Sequence, residues 1–484
     1  MSDEPETLET RDIQGLVTRG FGNLPEARFL LLEVLDPVLA RAYLRSIIGR
    51  VNTASARAKH HVFQVAFTAA GLERLGVSQP IRSTFAREFL EGMDDDVRAE
   101  ALGDLGDNDA ALWEWGHGTS VHVLLMLYAQ DKPTLGHHLT EELAKLEAGA
   151  FRVVHKETRT LPDQKEHFGW ADGLSMPVIE GVPREQGRRK KKQEWWTHAI
   201  KPGEFVLGYR NEYDCFSESP TVELTDDPGG VLPATPDGTQ KDLGRNGTYL
   251  VYREMTQDVL GFWDHLARES RESGDDPAAR AITLGSKMVG RWPGGAPVST
   301  IARDDLRHAK DNTFTYAKDL VGLGCPLGAH IRRANPRANL AADRSERDSI
   351  EMVRKHQMIR RGRAYGPPVV ESMDPREILA ARGQLDYNRR GLHFICLVGH
   401  ISRQFEFVQR AWIHSANFLG LYKDGDPISA ARRRDGNAND EFTCPAEPLR
   451  RKYKTLPRFT QLVGGAYFFL PGIRALRFIA KECE

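Results

Sequence analysis

Residues 247–270 read GTYLVYREMTQDVLGFWDHLARES. Thr248–Met255 carries the aromatic and β-branched residues of a strand. Asp258–Ser270 then switches to the spacing of an amphipathic helix. The same succession opens the N-terminal half. Residues 27–34 (ARFLLLEV) form a short continuous apolar run that suits a buried strand. The segment from Asp36 to Val51 follows, with Leu39, Tyr43, Leu44, Ile47 and Ile48 on one helical face, Asp36 as N-cap and Pro37 at the first helical position. Farther out, HHVFQVAFT (60–68), VHVLLMLYA (121–129) and FRVVHKETR (151–159) read as strands, and 134–147 as a helix. A short helix after Thr68 stops at Gly76. With that helix set aside, the order is strand, helix, strand, strand, helix, strand, the ferredoxin-like pattern of an antiparallel sheet backed by helices. Beyond residue 270, strands at 392–400 and 465–471, a helix at 404–413 and a closing helix repeat these element types. The expectation is an α+β chain of two ferredoxin-like domains, residues 1–245 and 246–484.

Residues 178–245 break the rhythm. Pro, Gly and charge are frequent there, so the segment reads as a loop insertion or lid on the first domain. It contains RRKKK (188–192), for which a solvated loop is the more ordinary reading than a polyanion site. The 484 residues exceed what one hydrophobic core serves. With 40% hydrophobic and 27% charged residues, the composition is globular, and a formal net charge of -1 gives no general pull toward nucleic acid or an anionic membrane. Five cysteines without a C-x-x-C pair argue against a disulfide framework or a zinc site. The N-terminus, MSDEPETLETRDIQG, has no apolar export core, and no apolar run reaches the roughly 18 residues of a membrane helix. A cytoplasmic location with no membrane partner is the expectation.

Three motifs carry chemistry. Gly169-Trp170-Ala171-Asp172-Gly173 brackets an acid between two glycines after a strand, which holds the carboxylate at a tight turn; alone, the segment reads rather as an ordinary Asp-Gly β-turn. Cys325–Arg337, CPLGAHIRRANPR, sets His330 among small residues and follows it with arginines. Neutral imidazole is a good iron ligand, small neighbours leave room for a flat macrocycle, and Arg332 and Arg333 could pair its carboxylates. The alternative is one structural histidine among sixteen. Met358–Pro367, MIRRGRAYGP, packs three arginines and a tyrosine beside a turn; alone it reads as a solvated basic loop.

Their order is more specific than any one of them. F-G-x-x-D-G, then C-P-x-G-A-H-I-R-R-x-N-P-R, then I-R-R-G-x-x-Y-G resembles the dye-decolorising peroxidases, in their long cytoplasmic form. Further segments agree, from Asp12-Ile13-Gln14-Gly15 through GLHFICL (391–397) and RQFEFVQRAWI (403–413) to GGAYFFLPG (464–472), so the likeness spans nearly the whole chain. Two departures stand out: Val398-Gly399-His400-Ile401 where relatives usually carry Asn, and Ala338 after the NPR arginine.

The resemblance implies haem b held between the sheet and helices of the second domain, hydrogen peroxide as oxidant, and phenolic or dye-like aromatic reductants oxidised in one-electron steps. His330 would be the axial iron ligand, with His400 a rival. Gly169, Gly173, Arg332, Arg333, Leu392 and Phe394 would line the cofactor. Asp426 would accept from the ligand imidazole, with Glu406 as the alternative. Asp172 and Arg360 would form the opposite, catalytic pair, and an aspartate base implies activity greatest at acidic pH. Tyr365 and Trp412 would carry electrons at the surface. Self-association is also implied. The competing expectation is haem carriage or iron release without peroxidase turnover.

Overall fold

The computed structural model describes residues 7–118, 121–158, 160–161, 164–182, 199–271, 276–340, 345–384, 388–432 and 439–481. Nine strands build its main sheet: β1 (Glu26–Val34), β2 (His61–Phe67), β3 (Val123–Ala129), β4 (Phe151–Glu157), β5 (Thr248–Gln257), β6 (Ile359–Arg360), β7 (Arg363–Tyr365), β8 (Gly391–Val398) and β9 (Thr460–Leu470). Their order is β6-β8-β5-β9-β2-β3-β1-β4, with β7 also on β8, and every pairing is antiparallel. The first half runs β2-β3-β1-β4. The second runs β6/β7-β8-β5-β9, the same second-third-first-fourth order. The sequence periodicity thus led to the right fold class, two ferredoxin-like units. They are joined into one sheet where Phe469 of β9 pairs with Phe67 of β2.

The apolar runs are continuous because the sheet is covered on both faces. On one face Val123, Leu125 and Leu127 of β3 pack with Tyr43, Leu44 and Ile47 of helix Pro37–Ile47. Asp36 caps that helix, accepting from the backbone N–H of Val38 and Leu39. On the other face Leu124, Met126 and Tyr128 meet Leu16, Val17, Phe205 and Tyr209. Segment 199–209 is therefore core rather than a loose lid: Phe205, Val206, Leu207 and Tyr209 are fully buried. The basic run at 188–192 lies outside the described residues.

Helices that escaped the pattern reading include Pro277–Val289, Glu346–Arg354 and Pro375–Ala381. The first includes Gly285, a residue that argues against a helix interior. A Cβ there would stand 2.6 Å from the Trp170 ring, so only glycine admits this close packing. The expected helix at 404–413 forms as a wide helix, with Glu406 N–H donating to Ile401 O and His414 N–H to Gln409 O, both five residues back. Among the described residues no helix is long and apolar enough to cross a membrane.

The seam between the halves is short. Beyond Phe67 the free edge of β2 is closed locally: Gln14 exchanges two hydrogen bonds with Val65 and donates a third to Pro471 O, and Asn52 pairs with Phe63. Gln14 is almost wholly buried, so its amide stands in for a strand. Gln14→Leu keeps the volume but orphans the Val65 amide and two carbonyls. The expected loss is about 2–3 kcal/mol of stability, read from urea unfolding.

Candidate active site

His330 opens the five-residue helix His330–Ala334, entered through a turn in which Ala329 N–H donates to Pro326 O. Cys325 and Ala329 are fully buried, so the small residues seat the turn tightly. The His330 Nδ1 faces Asp426 Oδ2 at 2.9 Å. With a carboxylate as acceptor, Nδ1 carries the proton and Nε2 keeps its lone pair free. Among the described residues Nε2 has no hydrogen-bond partner, and 31% of the side chain is open. Asp426 is fully buried, and its other oxygen accepts from the Ile428 and Ser429 amides and the Ser429 hydroxyl. Burial works to raise the Asp426 pKa, but the His330 imidazole, the Ser429 amide and Arg333 outweigh it and hold the carboxyl well below the usual range. Burial likewise disfavours the charged imidazole, yet Asp426 outweighs it and the His330 pKa is raised. The alternative partner, Glu406, is taken by Arg98 at 2.9 Å and by the Tyr467 hydroxyl at 2.8 Å. His400 stands elsewhere, its Nδ1 beside Ser402 and the Arg403 amide.

Asp172 and Arg360 lie together, Oδ1 to Nη1 at 3.5 Å, and both are close enough to act electrostatically on His330. Arg360 is opposite Cys396 in the sheet register, on the face that also carries Leu392 and Phe394. Along β8, Leu392 and Phe394 are half-buried while Gly391, His393 and Ile395 are buried. The opening thus falls on the side where Arg360 points. Gly173, at φ +71°, is exposed, and a Cβ there would meet nothing within 4 Å.

Five expected residues have other surroundings than their roles require. Gly169 has φ +103°, but a Cβ there would press on Ile378 and Pro375, so it serves the turn and packs on protein. Arg332 and Arg333 are both fully buried and face away from the opening. Arg332 stacks on Tyr316 and donates to Asp319, Asn339 and Cys325 O. Arg333 donates to the carbonyls of Gly328, Trp412, Ser415 and Asp424. Both are satisfied by protein because a buried guanidinium must be. Tyr365 and Trp412 do not reach the surface, being only 8% and 3% exposed. Tyr365 pairs with Gly391 on the opposite sheet face, its ring 4.8 Å from His393. Trp412 is covered by Phe407 and His356.

Sequence reasoning passed over several residues near the site. Arg337 donates to Asn312 O and Phe314 O and reaches Ser175 Oγ at 3.4 Å, while Arg360 reaches Ser175 O at 3.4 Å. Arg291 stands near them, donating to Asn312 Oδ1. Arg291 and Arg337 are buried and bound to backbone carbonyls, whereas Arg360 keeps about a third of its side chain open. The offset of seven residues between His330 and Arg337 was visible, but not which arginine would turn inward. Glu166 was also missed. Its carboxylate accepts from the Phe168 and Trp170 amides and from Gln257, so the loop bearing Asp172 is wound around it.

Burial, only partly offset by those amides, pushes the Glu166 pKa up from 4.5 to about 7. A raised carboxyl pKa means the unfolded chain loses this proton first. Stability is then unaffected below about pH 4.5 and falls as pH rises toward 7, by up to ~1.4 kcal/mol per unit. Glu166→Gln should flatten that part of the curve, as measured by urea midpoints at pH 4.5, 6 and 7.5.

No protein-family model matches the chain. It is 28% identical to the dye-decolorizing peroxidase msp1 of Mycetinis scorodonius, over 98% of this chain and 88% of that protein. It is also 28% identical to the multifunctional dye peroxidase DyP2 of an Amycolatopsis species, over 98% and 94%. Over 47% of its length it is 27% identical to a deferrochelatase of Yersinia pestis, of which it covers 33%. The backbone matches the solved structure of a DyP-type peroxidase from Anabaena at a TM-score of 0.75, with 22% identity, covering 97% of this chain and 94% of that one. A dye-decolorizing peroxidase solved with 2,6-dimethoxyphenol matches at 0.76, with 23% identity, over 98% and 100%. In sequence and in backbone, over nearly its whole length, this chain is similar to the dye-decolorising peroxidases.

Proposed function

We propose that the chain is a haem peroxidase that reduces hydrogen peroxide and oxidises bulky aromatic reductants, such as phenols and dyes, in one-electron steps. The observation that carries this reading is the nearness of two pairs: His330 with Asp426, and Asp172 with Arg360, whose charges act on His330. The donor set fits haem. A single imidazole with a free Nε2 suits an iron that brings its own ring ligands, and Arg337 with Arg291 would offset the charge of haem carboxylates. Gly173, Leu392 and Phe394 line the opening. Bound haem supplies the redox-active iron at which peroxide is reduced.

The chain's own residues do the rest. Asp172 takes a proton from the entering peroxide and returns it to the oxygen that leaves as water. The Arg360 guanidinium stabilises the negative charge that grows on that oxygen as the O–O bond breaks. Leu392 and Phe394 narrow the space above, so peroxide enters and a dye does not. Larger reductants give up electrons through the protein, and Tyr365 and Trp412, both covered, would serve as inner members of such routes. The part-length likeness to a deferrochelatase keeps iron removal from haem as the second reading. Turnover with peroxide and a phenol separates the two.

After reconstitution with haem a Soret band is expected; its absence overturns the assignment, and His330→Ala should remove or sharply weaken it. Asp172→Asn should slow the reaction with peroxide by roughly 10²–10⁴-fold. Arg360→Leu should slow it by about 10²–10³-fold. Both should leave the Soret band in place. Peroxidase turnover should be greatest at acidic pH, and a profile that climbs toward alkaline pH would contradict an aspartate base.

A further inference from the structure

The loop that carries Asp426 is held by two arginines, Arg333 fully buried and Arg432 half-buried, that the peroxidase chemistry does not use. Arg333, three residues after His330 on the same short helix, spends its guanidinium on backbone carbonyls. It binds Gly328 O, before His330; Trp412 O and Ser415 O, where the wide helix ends; and Asp424 O, two residues before Asp426. Arg432 grips the loop from its other end, donating to Asp426 O at 3.0 Å, Pro427 O at 2.8 Å and Pro457 O at 3.3 Å. Asp424 itself is tied down by the Thr443 amide at 2.6 Å. The Asp426 backbone amide meanwhile donates to Ile413 O.

We infer that Arg333 and Arg432 are positioning residues that set the hydrogen bond between His330 and Asp426, and through it the strength with which His330 holds iron. The inference rests on the haem reading above. A carboxylate accepts well from an imidazole only along a narrow range of direction and distance. Residues 424–432 contain no helix or strand; the Ile428 and Ser429 amides orient the carboxylate within its turn, but that turn must still be placed against His330. Two guanidinium forks place it, because each has several donors at fixed angles. Arg333 links the ligand's helix directly to the acceptor's loop, so the two ends of the bond move as one body. Burial lowers the pKa of both arginines to about 10, with Asp426 opposing it, so both stay cationic at neutral pH. A lysine keeps the charge and loses the fork.

The test uses the haem-loaded full chain as wild type and as Arg333→Lys and Arg432→Lys. Resonance Raman of the ferrous form reads the iron–histidine stretch, and redox titration reads the ferric/ferrous potential. Each variant should move the stretch to lower frequency, raise the potential and weaken haem affinity by roughly 10–100-fold. In an Asp426→Asn background neither lysine variant should shift stretch or potential further, which a merely structural role would not produce. Unchanged stretch and potential in a folded variant overturn the inference and leave the peroxidase reading standing. So do shifts that persist undiminished without the Asp426 carboxylate. Should Arg333→Lys fail to fold, Arg432→Lys decides alone, since its bonds are separate. A wild-type chain that takes up no haem defeats both the inference and the reading beneath it.

Discussion

A fully buried carboxylate, Asp426, faces a half-open imidazole, His330, and the rest of the site is arranged around that pair. Taking an ionised acid out of water is costly unless its oxygens are met by donors. Here every donor has a second job. The Ser429 and Ile428 amides close the turn that presents the acid, and the imidazole that stabilises it has its other nitrogen left free. The acid is thereby kept ionised, and the imidazole is kept in one tautomer and one orientation.

The opposite wall comes from different parts of the chain. Asp172 sits in a loop wound on Glu166, and Arg360 on a two-residue strand at the sheet edge. Leu392 and Phe394 come from β8, which pairs with that strand. What brings them together is the sheet register, because residues paired across antiparallel strands share a face. A one-residue slip of β6 on β8 would send Arg360 to the face where Tyr365 and His393 lie.

How much of this was legible in the sequence depended on whether local periodicity or long-range packing decided the matter. Runs such as ARFLLLEV and TYLVYREM declare strands, and their order declares the fold class. The residue pairs His330 with Asp426 and Asp172 with Arg360 were named through family resemblance. Their meeting at 2.9 and 3.5 Å is a product of long-range packing and could not be read from spacing. Arginines were where reading failed. Six of them stand in the two basic motifs, and a guanidinium reaches far enough to turn either way. Arg332, Arg333 and Arg337 all turn to backbone carbonyls, and Arg337 alone of the three also reaches Ser175. Tyr365 and Trp412 failed for the same kind of reason: exposure depends on what covers a residue, and the covers, Phe407 and His356 for Trp412, are distant in sequence.

The way β2 ends its side of the first half has a consequence for synthesis. Its neighbour in the finished sheet, β9, is nearly the last strand made, about 400 residues later, roughly 20–80 s at ordinary elongation rates. An unpaired edge left waiting that long would be a template for aggregation. Only Phe67 waits for that partner. Val51, Asn52 and the Gln14 side chain, all encoded before β2, already occupy the rest of the edge. The nascent N-terminal half therefore carries its own edge guard, and the second half docks on a seam one residue pair long.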